Sequence, residues 1–197
     1  MKHEIELTDD HRYIIDDKNE VPSVTTIIKE IIGYAFYADQ WYLDRGTVVH
    51  ACAKLIADKK EFTYDDQVAG YVEAIYKFFR EIKPIVKYAE VPVYSHHYKY
   101  AGTIDLVARI SGYNCICDYK NSLDLYRLKL QLEAYSIGLF ESHRSRANYG
   151  FGIVLNENGN YKMTDRINLL DMKLRREWLA LRTVYGMKER LGLIKKE

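Results

Sequence analysis

Tyr98 to Tyr135 read YKYAGTIDLVARISGYNCICDYKNSLDLYRLKLQLEAY, and three short runs inside this stretch decide both fold and chemistry. They are Gly102-Thr103-Ile104-Asp105-Leu106, Asp118-Tyr119-Lys120 and Gln131-Leu132-Glu133-Ala134-Tyr135. The abundance of Val, Ile and Tyr predicts strands over 98–110 and 113–120, and a helix over 123–140 follows. Successive side chains of a strand alternate faces, so Asp118 and Lys120 share one face while Cys117 and Tyr119 share the other. Asp105 falls near the middle of the preceding strand. Two neighbouring strands can then bring two carboxylates and one ammonium to a single point. Converging carboxylates repel unless a hard cation lies between them, and Mg²⁺ takes one or two carboxylates with waters and phosphate oxygens. A lysine beside that cation can orient or deprotonate a water. The set suits hydrolysis of a phosphodiester. Each run alone is bland, because Asp-x-Lys is common on solvated strands and Gly-x-x-Asp is common in turns. Their order and spacing carry the signal.

Outward from this stretch, residues 4–15 read as a short hairpin around Asp9-Asp10, and Ser23 as the N-cap of a helix over 24–32. Further helices are expected over 39–59 and 64–82, the latter from the apolar stripe Val68, Val72, Ile75, Phe79 and Ile82. Pro84 ends the helical part, and a strand over 85–94 precedes the quoted stretch. Beyond it, 149–155 and 161–167 read as a hairpin and 169–191 as a terminal helix. This order predicts an α/β or α+β fold with a mixed central sheet flanked by helices and an added N-terminal helical segment. No linker-like stretch divides the chain, so one domain over 1–197 is expected: mainly helical over 1–83, a sheet core over 84–168, a terminal helix over 169–197.

Apolar residues make up 48% and charged residues 29% of the 197, which excludes a disordered chain. The net charge is only +1, but it is unevenly placed: 1–66 hold 8 basic and 14 acidic side chains, and 67–197 hold 21 and 14. A polyanion is therefore expected to meet the second part. Residues 169–197, with 8 basic and 4 acidic side chains, are the candidate basic track, set against a plain solvated helix. Three cysteines without CxxC spacing, Cys52, Cys115 and Cys117, argue against a disulfide framework and a closed zinc site. No apolar run approaches the length of a membrane span, and the first residues lack an apolar signal core. These features predict an intracellular, cytoplasmic protein.

The runs GTIDL, DYK and QLEAY resemble the PD-(D/E)xK nuclease superfamily, nearest in pattern to its RecB-like exonuclease branch, which includes phage and mitochondrial genome maintenance exonucleases. Arg45-Gly46-Thr47-Val48-Val49-His50 resembles that branch's helical motif, and Val21 to Ile27 resembles the N-terminal segment of the mitochondrial-type members. The resemblance spans roughly 21–135 and implies a restriction-endonuclease-like core. It implies Asp105, Asp118, His50 and the Tyr119 carbonyl as ligands of Mg²⁺ or Mn²⁺. Lys120, Asp118, Asp105 and Gln131 would be catalytic, with Lys120 handling the water. Glu90, Gln131, Tyr135 and Ser122 would contact substrate. Gly46, one turn before His50, would make room beside it. Iron–sulfur members need four cysteines, so no cluster is expected here. With no Walker A run and little length for a sequence-reading domain, the expected activity is a DNA exonuclease acting on free ends in recombination, repair or replication. Recombination or replication proteins are the expected partners besides DNA. The rival readings are an endonuclease on the same fold, a non-cleaving nucleic-acid-binding accessory protein and a plain structural domain.

Overall fold

The structure, a computed structural model, describes residues 3–8, 12–33 and 40–194, with side chains of 40–44 excepted. Three short strands come first: β1 (Ile5–Leu7), β2 (Tyr13–Ile15) and β3 (Asn19–Val21), paired antiparallel in that order. The expected turn at Asp9-Asp10 lies outside the described residues. Helix α1 (Val24–Ile32) is capped by Ser23, whose Oγ accepts the Thr26 N–H at 2.9 Å. It stops at Gly33, whose φ of 84° suits glycine. Helix α2 (Gln40–Ala57) follows; Asp39, where the sequence placed its start, lies outside the described residues.

The helix expected from Tyr64 begins later. Asp65 is extended and its carboxylate accepts the Gln67 N–H at 2.8 Å, capping a short 3-10 turn (Asp66–Val68) before α3 (Ala69–Ile82). The large sheet then starts with β4 (Ile85–Ser95), β5 (Tyr100–Ile110) and β6 (Tyr113–Lys120), an antiparallel meander. Helix α4 (Leu125–His143) carries the chain over the sheet to β7 (Tyr149–Leu155), which lies parallel to β6. The strand expected over 161–167 is interrupted. The Thr164 N–H still donates to the Gly152 carbonyl at 3.0 Å, but Thr164 Oγ1 accepts the Gly152 N–H at 3.1 Å, so a hydroxyl replaces one ladder carbonyl there. It separates β8 (Tyr161–Met163) from β9 (Ile167–Asn168), both antiparallel to β7. Helix α5 (Met172–Arg190) starts three residues later than expected because Asp171 caps it, accepting the Lys173 N–H at 2.8 Å.

The sheet order is β4-β5-β6-β7-β8, with β9 also on β7. One apolar layer joins α1, α4 and α5 to one face, and a second joins α2 and α3 to the other. This is a mixed sheet flanked by helices, the arrangement of a restriction-endonuclease-like core. From Leu130 to Leu139 every residue of α4 is buried. Such all-round burial explains why no amphipathic stripe marks this helix. Gly102 joins two of the motif runs: a Cβ there would lie 2.6 Å from Cε1 of Tyr135, so the tyrosine ring covers a position that only glycine leaves open.

Candidate active site

The site forms where strand regularity fails. Ile104 packs in the α4 layer and Leu106, two residues on, packs in the α2–α3 layer, so side-chain alternation slips at Asp105. Ladder pairing of β5 with β6 begins only at Leu106 opposite Cys117. Across on β4, Glu90 falls between the pairs Ala89–Leu106 and Val91–Ile104, directly opposite Asp105. Glu90 has a φ of 48°, a left-handed backbone in the middle of a strand. Such strain costs of the order of 1–3 kcal/mol and persists only where the surroundings enforce it.

His50, on α2, closes the trio. Its Nδ1 lies 3.3 Å from Glu90 Oε1 and 3.3 Å from Asp105 Oδ1. One atom from each of the three residues lies within 4.8 Å of the others. The charge of Asp105 holds His50 well above the ordinary imidazole value against burial, and Glu90 adds to the effect. Burial pushes Glu90 up, and His50 opposes it. A positive charge is thus what this point favours. Two carboxylates and an imidazole are donors suited to Mg²⁺ or Mn²⁺, with the nitrogen favouring Mn²⁺.

Asp118 and Lys120 share a face, but that face is the α4 side. Asp118 is 2% exposed, with Oδ2 at 2.6 Å from Lys120 Nζ. Gln131 Nε2 donates to Asp118 Oδ1 at 2.9 Å, and Lys120 Nζ donates to Gln131 Oε1 at 3.1 Å. Burial pushes Asp118 up to about 6 although the Lys120 charge pulls it down. Asp118 therefore stands beside the trio and not within it. Asp105 links the two groups, since its Oδ2 accepts the Tyr119 N–H at 2.6 Å. The Tyr119 backbone is thus tied to the site through its N–H on Asp105.

Several sequence expectations change here. Glu90 was assigned to substrate and instead stands among the candidate metal ligands. Tyr135 is only 4% exposed, so it cannot meet substrate directly; its hydroxyl accepts from Gln131 Nε2 at 2.9 Å and its ring lies on Gly102. Gln131, 7% exposed, acts as a bracket between Asp118, Lys120 and Tyr135. Ser122 lies exposed in the loop after β6, outside this hydrogen-bonded set. Gly46 makes no room: a Cβ there would meet nothing within 4 Å. On α5, Lys173, Arg176 and Arg190 are exposed and three other cations are engaged within the molecule. Arg175 pairs with the buried Glu133 at 2.8 Å, Arg182 donates to the carbonyls of Tyr98 and Lys99, and Lys188 pairs with Glu30.

Two site residues were missed. Tyr13, from the small sheet, shares a hydrogen bond of 2.9 Å with Thr103 Oγ1, two residues before Asp105. No local pattern announces a contact 90 residues apart. Lys54 donates to the Ala89 carbonyl at 3.1 Å, beside Glu90. Its spacing of one helical turn from His50 was visible in the sequence.

No family model matches the chain, and no curated protein matches it. Among solved structures, the chain is similar to a "putative exonuclease" from Eubacterium rectale, with a TM-score of 0.53 and 14% identity over 86% of this chain and 74% of that one. At this identity the likeness concerns the fold. No helix among the described residues is long and apolar enough to cross a membrane.

Proposed function

We propose that this chain is a metal-dependent nuclease that hydrolyses DNA from a free end, on a site of the PD-(D/E)xK type. One observation carries the reading: an imidazole and two carboxylates converge on one point, beside a buried Asp118 paired with Lys120. His50, Glu90 and Asp105 would hold Mg²⁺ or Mn²⁺. When bound, such an ion polarises a phosphoryl oxygen and stabilises developing negative charge. Lys120, half-exposed and fixed by Asp118 and Gln131, holds the attacking water in line with the phosphorus. Asp118 keeps that ammonium in place and balances its charge. Gln131, locked by Tyr135, sets the distance between them. The fold shared with the Eubacterium rectale protein supports the class of the reading.

The requirement for an end is tested with end-labelled linear and covalently closed circular single-stranded DNA, incubated with Mg²⁺ or Mn²⁺. Linear strands should be degraded to short products and circles should survive. Circles cut as fast as linear strands would replace the exonuclease by an endonuclease.

A further inference from the structure

The sheet end furthest from Lys120, where β5 turns into β6, is surrounded by exposed cations. Segments 82–89, 107–117 and 143–155 contain Lys83, Lys87, Arg109, Arg144 and Arg146 but no Asp or Glu. These segments meet in space. Ile85 pairs with Arg109, Arg109 pairs with Asn114, and the Asn114 N–H donates to Asn148 Oδ1 at 3.2 Å. Lys87 Nζ donates to Ser145 Oγ at 3.0 Å, placing it between Arg144 and Arg146. Arg166, which follows Asp165 in the chain, adds a sixth cation over the Tyr149 ring at 5.3 Å. All six are exposed. No salt bridge joins any of them to a carboxylate among the described residues. Five of them stack or hydrogen-bond instead: besides Arg166, Arg146 lies 4.6 Å and Arg144 5.9 Å from the Phe140 ring centroid, Lys87 lies over Tyr88, and Arg109 donates to the Gly112 carbonyl. Stacking fixes a guanidinium while leaving its donors open to an anion. Three cations of α5, Arg175, Arg182 and Lys188, are by contrast engaged within the molecule.

We propose that this end of the sheet is a second nucleic-acid contact, which holds backbone phosphates of the strand whose cleavage was proposed above. It rests on that reading for its substrate, and extends it by a binding surface. From Asn114, the partner of Arg109, to Asp118 is four strand residues, roughly 13 Å at ~3.3 Å each. Ile116 between them is buried under α4, so a single strand that touches both regions passes around that layer and spans at least a few nucleotides. Phosphate contacts of this kind position a strand and read no sequence.

The test measures binding of a fluorescent single-stranded oligonucleotide in EDTA across a salt series. One triple variant carries Arg109→Gln, Arg144→Gln and Arg146→Gln; a control of equal charge carries Lys173→Gln, Arg176→Gln and Arg190→Gln on α5. At moderate salt the first should bind about tenfold more weakly, with a salt slope smaller by about two, since each single-strand contact contributes ~0.7. The control should stay within about twofold of wild type, as a surface outside the contact would. Equal loss in both variants, no loss in the first, or competition by polyglutamate as strong as by unlabelled oligonucleotide overturns the proposal. A second readout separates this result from the nuclease reading: Mn²⁺-dependent hydrolysis of bis(p-nitrophenyl) phosphate, too small to span both regions, should be the same in the first triple as in wild type. A wild type that binds through this surface but hydrolyses neither DNA nor the small diester overturns the nuclease reading and leaves the binding surface standing.

Discussion

Glu90 combines a left-handed backbone with a carboxylate aimed at His50 and opposite Asp105. A regular extended residue would send that side chain elsewhere, so the strain and the convergence are one feature. Lys120 has the complementary position, with its ammonium between Asp118 and Gln131 at the more open side of the site. If Lys120 holds the water, Lys120→Ala should lower turnover about a hundredfold or more while DNA binding persists, the usual range for a lost acid–base or water-orienting group. Near-wild-type turnover would return Lys120 to a structural pairing with Asp118. His50 makes a different prediction. As a ligand it acts through affinity, so His50→Ala should raise the metal concentration needed for half-maximal rate, and high Mn²⁺ should restore much of the rate. A metal titration of both proteins, alongside their melting temperatures, checks this. Unchanged half-saturation with a lower melting temperature would make His50 a packing residue.

At the scale of elements, the sequence disclosed strands β4 to β6 and helix α4 to within three residues at each end, because runs rich in Val, Ile and Tyr follow Pro84. Asp105, Asp118 and Lys120 were legible from order and spacing. The slip at Asp105 was not, since it depends on β5 and β6 parting before their ends. That slip decides that Glu90, and not Asp118, faces His50. The break at Thr164 was equally hidden, because a hydroxyl standing in for a carbonyl leaves no periodic trace. The α4–α5 contact offers a test free of catalysis. Glu133 is wholly buried, and burial pushes its carboxyl up to about 7 although Arg175 pulls it down. Between the ordinary carboxylate value and about 7 the folded state then binds more protons at Glu133 than the unfolded state. Its contribution is therefore full below the unfolded value and is lost as pH rises through about 7. Denaturant unfolding at pH 5 and pH 8 should show wild type losing stability relative to Glu133→Gln, by up to about 3 kcal/mol. Parallel behaviour of the two proteins would mean that Arg175 neutralises the carboxylate fully.

Across the whole molecule, the two helical layers divide the chemistry. The α2–α3 layer delivers His50 and Lys54 to Glu90 and Asp105; the α4 layer delivers Gln131 and Tyr135 to Asp118 and Lys120. The sheet between them brings the halves together through the hydrogen bond from Tyr119 N–H to Asp105. Asp105 is thus the residue on which both halves depend, and its loss should not be mimicked by loss of any peripheral cation. The most direct measurement is therefore the cleavage rate of end-labelled single-stranded DNA by wild type and Asp105→Asn, each with Mn²⁺, with Mg²⁺ and with EDTA. Wild type should cleave with either ion and stop in EDTA, and Asp105→Asn should be reduced at least about a hundredfold with both ions, as expected when a charge-stabilising group at the reacting centre is lost. Undiminished cleavage by contaminant-free wild type in EDTA, or by Asp105→Asn with metal, would contradict the site.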